Sequence, residues 1–293
     1  MRLQRRSQGA RAVVTGAGSG IGRAFAVELA RRSGKIVCAD VDAGRAEETA
    51  ELIARSGGTA FAAVCDASEL VAVEALATTA ADWFGEPATL VVNNAGVGVG
   101  GQPVGQIPIE DWRWAMGVNL WGPVHGCHVF LPRLRAAGTC GVINVASAAS
   151  FAAAPGMGPY SVSKAAVLSL TETVAAELAG TGIAVTVACP TFVKTNIARD
   201  GRIAERAGTG AERLMRWTGW SPERIARAAL AAHDRGQLYV VPQPEAQLVW
   251  HAKRYIPATY TRVMGLAARI AAPSASTPED APDESRDAAR VVA

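Results

Sequence analysis

The chain has 293 residues, of which 49% are hydrophobic and 19% are charged. This length and apolar content suit one large α/β domain or two small ones with an ample core. The formal net charge of +3 is too small, and its charges too scattered, to indicate a nucleic-acid partner.

A glycine-rich loop follows the first predicted strand, a short β-type run at residues 12–15. Gly16, Gly20 and Gly22 have G-x-x-x-G-x-G spacing, and Ile21 stands where G-x-G-x-x-G would have its third glycine. A helical pattern begins directly after the loop. Strand, glycine loop and helix together present backbone N–H groups and a helix N-terminus to a pyrophosphate, which predicts a dinucleotide site.

The second predicted strand, residues 35–40, ends in a carboxylate. Asp40 at this position can accept both hydroxyls of an adenosine ribose and would repel a 2′-phosphate, so we expect NAD rather than NADP. Asp42 is the nearby alternative for this role. Arg23 and Arg45 could approach a 2′-phosphate, and they keep an NADP-dependent reading open.

Strands and helices alternate along the first half of the chain. The pattern predicts helices at 44–57 and 68–84 and strands at 59–65 and 89–92, which indicates a parallel, doubly wound sheet. Asn93-Asn94-Ala95-Gly96 follows the fourth strand. Small residues at the carboxyl end of a strand let the backbone approach a ligand at the switch point of such a sheet.

The second half continues the alternation. A long helix at 108–137 carries Asn119 and Pro123, and Pro123 is expected to kink it or to free a carbonyl near Asn119. The remaining predicted elements are strands at 141–147, 183–188 and 238–241, and helices at 157–180 and 222–234. Residues 191–220 interrupt the alternation of strands and helices, and we interpret them as a mobile substrate lid.

Three residues at informative intervals form a candidate acid/base site. Ser147 ends the fifth strand, and Tyr160 and Lys164 stand at i and i+4 on the following helix, where they share a face. A phenol has a pKa of about 10, and a nearby cation lowers it by favouring the phenolate. The serine hydroxyl could hold a substrate oxygen against the phenol.

Outside the main pattern, residues 1–10 are a basic lead-in, 11–245 the predicted dinucleotide-binding catalytic domain, 246–272 a C-terminal extension and 273–293 a disordered tail. Packing of the extension on the body or on a partner subunit is favoured over contact with a membrane surface, because Pro257 interrupts any long amphipathic helix. His125 and His128 lack a second ligand pair, so no metal site is predicted.

The cysteines and the N-terminal residues indicate the cellular compartment of the protein. Five separated cysteines without a Cys-x-x-Cys pair indicate reduced thiols in a cytoplasmic protein. The arginine-bearing start runs into a strand and a glycine loop, without the apolar stretch of a signal peptide. The longest near-apolar run, residues 114–132, contains glycines, histidines and an asparagine, so we expect a buried helix there and no membrane span.

In order along the chain, these motifs resemble the classical short-chain dehydrogenase/reductase family. The similarity covers roughly residues 8–242 and rests on Thr15-Gly16-x-x-x-Gly20-x-Gly22, Asp66, Asn93-Asn94-Ala95-Gly96, Asn119, and Ser147 with Tyr160-x-x-x-Lys164. Thr191 stands where the family's Pro-Gly-x-x-x-Thr motif has its glycine. The resemblance implies a single-domain, Rossmann-like, three-layer α/β/α fold and an NAD(P)-dependent oxidoreductase.

The resemblance also implies roles for individual residues. Tyr160 would be the general acid/base, Lys164 would lower its pKa and bind the nicotinamide ribose, Ser147 would hold the substrate oxygen, and Asn119 would anchor a relay water. The implied cofactor-binding residues are Gly16, Ser19, Gly20, Ile21, Gly22, Asp40, Asp66, Ala67, Asn93, Ala95, Gly96, Tyr160, Lys164, Pro190, Val193 and Thr195. The expected substrate-binding residues are Ser147, Met157, Tyr160, Phe192 and Trp217.

The expected substrate is an apolar secondary alcohol or its ketone, because the apolar residues around the site suggest one. An NADP-dependent carbonyl reductase and a non-catalytic dinucleotide-binding sensor or scaffold are the alternatives. The helices at 108–137 and 157–180 are apolar on more faces than one side of a sheet can bury, which predicts a homodimer or homotetramer.

Overall fold

The fold is built on one parallel sheet. A computed structural model describes residues 5–136, 140–195, 197, 200–204 and 219–271. Within these ranges seven strands pair in the order β3-β2-β1-β4-β6-β7-β9, all parallel, and β5 pairs with β8 separately. The strands are β1 Arg11–Thr15, β2 Lys35–Asp40, β3 Thr59–Val64, β4 Leu90–Asn93, β5 Val99–Gly100, β6 Gly141–Val145, β7 Ala184–Ala188, β8 Arg202–Ile203 and β9 Tyr239–Val240.

Helices cover both faces of this sheet. They are α1 Gly20–Arg31, α2 Ala43–Arg55, α3 Leu70–Phe84, α4 Ile109–Met116, α5 Gly122–Ala136, α6 Ala149–Ala152, α7 Gly158–Glu177, α8 Pro222–Asp234, α9 Pro244–Tyr255 and α10 Pro257–Ala271. A π-helical turn at Gly117–Trp121 joins α4 to α5, and a short 3₁₀ turn lies at Val104–Gln106. The predicted three-layer, doubly wound arrangement is confirmed.

Side chains of alternating strand residues lie on opposite faces of the sheet, and each face packs into a core of its own. On one face, Val13, Val91 and Val142 pack with side chains of α3, α5 and α7 such as Phe130. On the other face, Val14, Val92 and Ile143 pack with side chains of α1, α2 and α8 such as Phe25. Because both faces are buried, the strands are continuous apolar runs, as expected for a parallel sheet.

Capping residues in the sequence determine where some of the helices begin. Ser221 caps α8 by accepting a hydrogen bond from the Arg224 N–H, and Pro222 takes the first helical position, as predicted. The two-residue strands β5 and β8 were not predicted, because two residues are too few to show a periodicity.

The C-terminal extension forms two helices that pack near the carboxyl end of β6. Ala246 and Trp250 of α9 join a small core with Phe151 of α6. The Tyr260 hydroxyl of α10 donates to the Ala152 carbonyl oxygen at 3.0 Å. No helix in the described ranges has both the length and the apolar character needed to span a bilayer. The predicted disordered tail lies outside the described residues.

Candidate active site

The carboxyl ends of β1 and β4 form the switch point of the sheet, since β2 and β3 lie on one side of β1 and β4 begins the other half. Asn94 connects the two strands: its Nδ2 donates to the carbonyl oxygens of Thr15 and Gly16 at 3.0 and 3.2 Å. Thr15 Oγ1 accepts the N–H groups of Asn94 and Ala95. The glycine loop and the segment after β4 are therefore held as one surface. The prediction of site residues omitted Asn94, although its motif was noted.

The glycine loop has the form of an anion cradle. Gly16 and Gly20 have φ angles of +65° and +52°, which favour glycine, and a Cβ on Gly22 would collide with the Gly16 carbonyl. Ser19 begins α1 without a side-chain capping bond, and the first turn carries no acidic residue. The N-terminus of α1 therefore fits a pyrophosphate. The predicted cofactor-binding residues Gly20 and Ile21 are the first two residues of this helix.

Asp40 lies beside this loop at the end of β2. Its Oδ2 accepts the Gly18 N–H at 2.8 Å and its Oδ1 accepts the Asp42 N–H at 3.1 Å. Each carboxylate oxygen keeps further acceptor capacity, so the group fits the hydroxyls of a ribose. Gly18 has room for no side chain, because a Cβ there would lie 2.7 Å from Asp40 Oδ2.

The two arginines near Asp40 are both engaged with carboxylates. Arg45 Nη1 lies 3.0 Å from Asp200 and its Nε lies 3.3 Å from Asp42. Hydrogen bonding to Asp200 is the main cause that raises the pKa of Arg45. Arg23 pairs with Glu48 at 3.0 Å and also donates to Thr49 and to the Gly18 carbonyl.

The π-helical turn places Asn119 behind the site. Its Oδ1 accepts the Val97 N–H at 2.7 Å, and its Nδ2 donates to the Val97 carbonyl and to Ser163 Oγ. Asn119 is fully buried. Pro123 lacks the N–H that would bond the Asn119 carbonyl in a regular helix, as the sequence indicated. The irregularity is the π-helical turn that precedes this proline.

Ser147, Tyr160 and Lys164 come together at the carboxyl edge of the sheet. Ser147 follows β6 and lies next to Tyr160, whose pKa it acts to lower by hydrogen bonding. Lys164 is buried, and its Nζ donates to the Val145 carbonyl at 3.0 Å and lies 6.0 Å from the centre of the Tyr160 ring. A Cβ on Gly96 would stand 3.2 Å from both Lys164 Nζ and Asn119 Oδ1.

Burial shifts the pKa values of Tyr160 and Lys164 in opposite directions. Burial raises the pKa of Tyr160 above its usual value, and the hydrogen bond from Ser147 acts in the opposite direction. Burial also lowers the pKa of Lys164 to about 8. We expected the Lys164 cation to lower the pKa of Tyr160; in this structure the pKa is raised, because burial removes solvation from the phenolate.

The loop after β7 passes over the glycine loop. The Thr195 methyl group would lie 3.0 Å from a Cβ on Gly20, so the two segments are in contact. The Pro190 carbonyl accepts the Ala148 N–H and the Ser147 hydroxyl. Val193 is buried and bridges to Trp220.

Gln243 holds this loop and was missed from the sequence, where a glutamine after a strand carries no signal. It is fully buried: its Oε1 accepts the Thr191 N–H at 2.9 Å, and its Nε2 donates to the Phe192 carbonyl at 3.0 Å. Thr191 also donates through its hydroxyl to Glu245 at 2.8 Å. Thr191, which stands where the family motif has a glycine, therefore links the loop after β7 to α9.

Other predicted site residues take varied positions. Asp66 is exposed and accepts hydrogen bonds from Ser68, and Ala67 is buried beside it. The Asn93 side chain points into the core and donates to Asn144 at 2.8 Å, so it does not reach the ligand edge with its neighbours.

The predicted substrate residues are only partly described. Met157 lies against Gly100, because a Cβ on Gly100 would be 2.8 Å from its sulfur. Phe192 is partly exposed. Trp217 lies outside the described residues, as does most of the predicted lid. The described residues hold no cluster of His, Cys, Asp or Glu suited to a metal ion.

Residues 10–206 match the family model of the short chain dehydrogenases. The chain belongs to the short-chain dehydrogenase/reductase family. It is 36% identical to 1-deoxy-11-beta-hydroxypentalenate dehydrogenase of Streptomyces exfoliatus, over 85% of this chain and 86% of that protein. A short-chain dehydrogenase/reductase of Burkholderia phymatum, solved in complex with NAD, is 32% identical with a TM-score of 0.79, covering 94% of this chain and 99% of that one.

Another relative is longer. The probable oxidoreductase EphD of Mycobacterium tuberculosis is 35% identical over 255 residues, which is 83% of this chain and 43% of EphD. This chain therefore spans less than half the length of that relative. The family to which the chain belongs binds NAD(H) or NADP(H), and the glycine loop, the α1 N-terminus and Asp40 described above fit such a dinucleotide.

Proposed function

We propose that this short-chain dehydrogenase/reductase interconverts an apolar secondary alcohol and its ketone, with Tyr160 as general acid/base. The observation that carries the proposal is the meeting of Ser147, Tyr160 and Lys164 at the carboxyl edge of the sheet, where hydrogen bonding from Ser147 acts to lower the pKa of Tyr160 and Lys164 Nζ lies 6.0 Å from the Tyr160 ring centre. A relative named as a hydroxypentalenate dehydrogenase supports action on a CH–OH group. A bound nicotinamide dinucleotide would supply or accept the hydride.

Tyr160 and Ser147 have different roles at the substrate oxygen. Because burial keeps the pKa of Tyr160 high, the phenol holds its proton near neutral pH and can donate it to a ketone oxygen. In the reverse direction it takes the alcohol proton. Ser147 Oγ accepts the Ala149 N–H at 3.2 Å and donates to the Pro190 carbonyl at 3.4 Å, and a substrate oxygen would replace this long bond as the acceptor of the serine proton.

Lys164 and Asn119 act behind the phenol. The Lys164 ammonium would bind the nicotinamide ribose beside Gly96 and stabilise the phenolate when it forms. The Asn119 side chain is used by Val97 and Ser163, so the carbonyl that Pro123 leaves without its helical donor is the group we assign to the relay water.

We further propose NAD as the preferred cofactor. Asp40 would accept the ribose hydroxyls and would repel a 2′-phosphate, which costs on the order of a few kcal/mol at intermediate dielectric. Arg45 is surrounded by Asp42 and Asp200, and Arg23 is paired with Glu48. Both cations that could favour NADP therefore already have carboxylate partners.

The catalytic part is tested with Tyr160→Phe, which removes only the hydroxyl. Turnover should fall by about a hundredfold to ten-thousandfold, with NADH affinity nearly unchanged. Tyr255→Phe, on the exposed side of α9, is the matched control and should behave as wild type. The assay is cofactor oxidation and reduction with a panel of apolar secondary alcohols and ketones. Near-normal turnover by Tyr160→Phe would remove Tyr160 from the mechanism.

The cofactor preference is tested by binding alone. NADH and NADPH affinities are measured by fluorescence for wild type, Asp40→Ala and the control Asp82→Ala, which removes an exposed carboxylate on α3. The preference for NADH should be marked in wild type and control and largely lost in Asp40→Ala. Tighter NADPH binding by wild type would favour the NADP-dependent reductase, and binding without turnover of any substrate would favour a sensor or scaffold.

A further inference from the structure

The solvent face of α10 carries an apolar row that nothing in the described chain covers. Val263, Leu266 and Ile270 follow at helical intervals of three and four, and each is more than half exposed, with Ile270 at 86%. The half-buried residues of α10, which are Tyr260, Met264, Gly265 and Ala268, centre on the other side of the helix, and the Tyr260 hydroxyl at the edge of that side bonds to Ala152 in α6. The helix is therefore apolar on two sides, and only one of them faces the body.

Cations border this apolar row. Arg262 and Arg269 stand one residue before Val263 and Ile270, so both lie on the same flank, and neither forms an ion pair within the described residues. From Ala246 to Ala271 the sequence has four Lys or Arg residues and no Asp or Glu. Exposed apolar side chains continue on the rest of the extension at Leu248, Tyr255 and Ile256.

We propose that α10 binds an anionic lipid surface, with Val263, Leu266 and Ile270 inserted among the lipids and Arg262 and Arg269 at the headgroups. An apolar row flanked by basic residues, on a helix lying along the protein, is the arrangement of an interfacial membrane helix. The sequence favoured packing because Pro257 interrupts the segment. In the structure this proline is the first residue of α10, which is fifteen residues long.

Charge argues against a second copy as the occupant. In an antiparallel contact between two copies of α10 the same flank meets itself, so Arg262 and Arg269 would face arginines of the partner. No carboxylate between Ala246 and Ala271 could neutralise them. The chain's own tail has acidic residues, Glu279, Asp280, Asp283 and Glu284 among them, but few apolar side chains to cover the apolar row.

The test is co-sedimentation of the full chain with vesicles of phosphatidylcholine, and of phosphatidylcholine mixed with phosphatidylglycerol, at low and physiological salt. Wild type should bind the anionic vesicles, and salt should weaken the binding. Arg262→Glu with Arg269→Glu should lower the partition coefficient by at least about tenfold. Serine at Val263, Leu266 and Ile270 should have a similar effect.

Matched controls make the same changes elsewhere on the surface. Arg31→Glu with Arg227→Glu alters the net charge equally, and serine at Val41, Val71 and Val104 removes three exposed apolar side chains outside α10. Both should bind vesicles as wild type does. Circular dichroism checks the folding of each variant, and none of these readouts depends on dinucleotide binding.

Three outcomes would overturn the proposal. In the first, wild type fails to bind anionic vesicles. In the second, the serine variant still binds vesicles but loses molar mass by light scattering, which would assign the row to contact between copies. In the third, binding appears only when the acidic tail residues from Glu279 to Glu284 are changed to serine, which would assign the row to the tail.

Discussion

Replacing Lys164 with methionine should stabilise the cofactor-free protein while it abolishes activity. Lys164 is 3% exposed, and burial lowers the pKa of its ammonium from 10.5 to about 8. A shift of this size means that keeping the proton at neutral pH costs the folded state about 3 kcal/mol. Methionine has a similar unbranched shape and carries no charge, so it removes this cost.

One contact opposes the gain. Lys164 Nζ donates to the Val145 carbonyl at 3.0 Å, and methionine would leave that oxygen without this donor. A buried carbonyl without a partner costs about 1 to 3 kcal/mol. The cost of burying the charge, about 3 kcal/mol, exceeds the cost of the lost hydrogen bond for most values between about 1 and 3 kcal/mol. We therefore expect a net stabilisation of about 1 kcal/mol near pH 7.

The pH dependence separates the cost of the charge from any gain in packing. The unfolded state binds the Lys164 proton more tightly than the folded state, so wild-type stability should rise as the pH increases from about 8 to about 10.5. This rise of about 3 kcal/mol should be absent from Lys164→Met, so wild type should become the more stable protein at high pH, where neutral Lys164 still donates to the Val145 carbonyl. The measurement is urea unfolding of both proteins, without cofactor, at about pH 7 and about pH 10.

Lys35→Met is the matched control, because Lys35 is exposed on β2 and its removal should change stability by less than about 0.5 kcal/mol. If Lys164→Met is less stable than wild type at neutral pH, the bond to Val145 outweighs desolvation. If both proteins keep the same pH dependence, the charge of Lys164 does not carry the cost.

The remaining predictions concern stability and assembly. Burial lowers the pKa of His233 from 6.5 to about 4, so the unfolded state takes up a proton first and stability should fall by about 3 kcal/mol as the pH drops from 6.5 to 4. Urea unfolding should show a shallower fall for His233→Gln; an equal fall would assign the effect to other groups. Ser221→Ala should cost about 1 kcal/mol through loss of the α8 cap, as measured by thermal unfolding. The control is Ser169→Ala, which changes an exposed serine on α7, and equal losses in the two variants would contradict the prediction. Light scattering at micromolar concentration should give a dimer or tetramer, and a monomer would contradict the prediction.

Local patterns in the sequence predicted most elements of the fold. Residues 35–40 and 222–234 were placed correctly at both ends, because an apolar run with a terminal Asp40 and a Ser-Pro cap are signals within a few residues. Ser147 with Tyr160 and Lys164 could also be recognised, since a helix fixes the i, i+4 pair and a parallel sheet brings strand ends to one edge.

The tertiary structure decided which distant groups meet. Asp200 contacts Arg45, and Gln243 holds the backbone of Thr191 and Phe192; neither pair has a local signal, because the partners are far apart in the chain. The same holds for Asn93, which side-chain packing directs into the core while the neighbouring Asn94 binds the glycine loop. Periodicity and capping depend on neighbours in sequence, whereas these contacts depend on how separate elements pack, and that packing also raised the pKa of Tyr160.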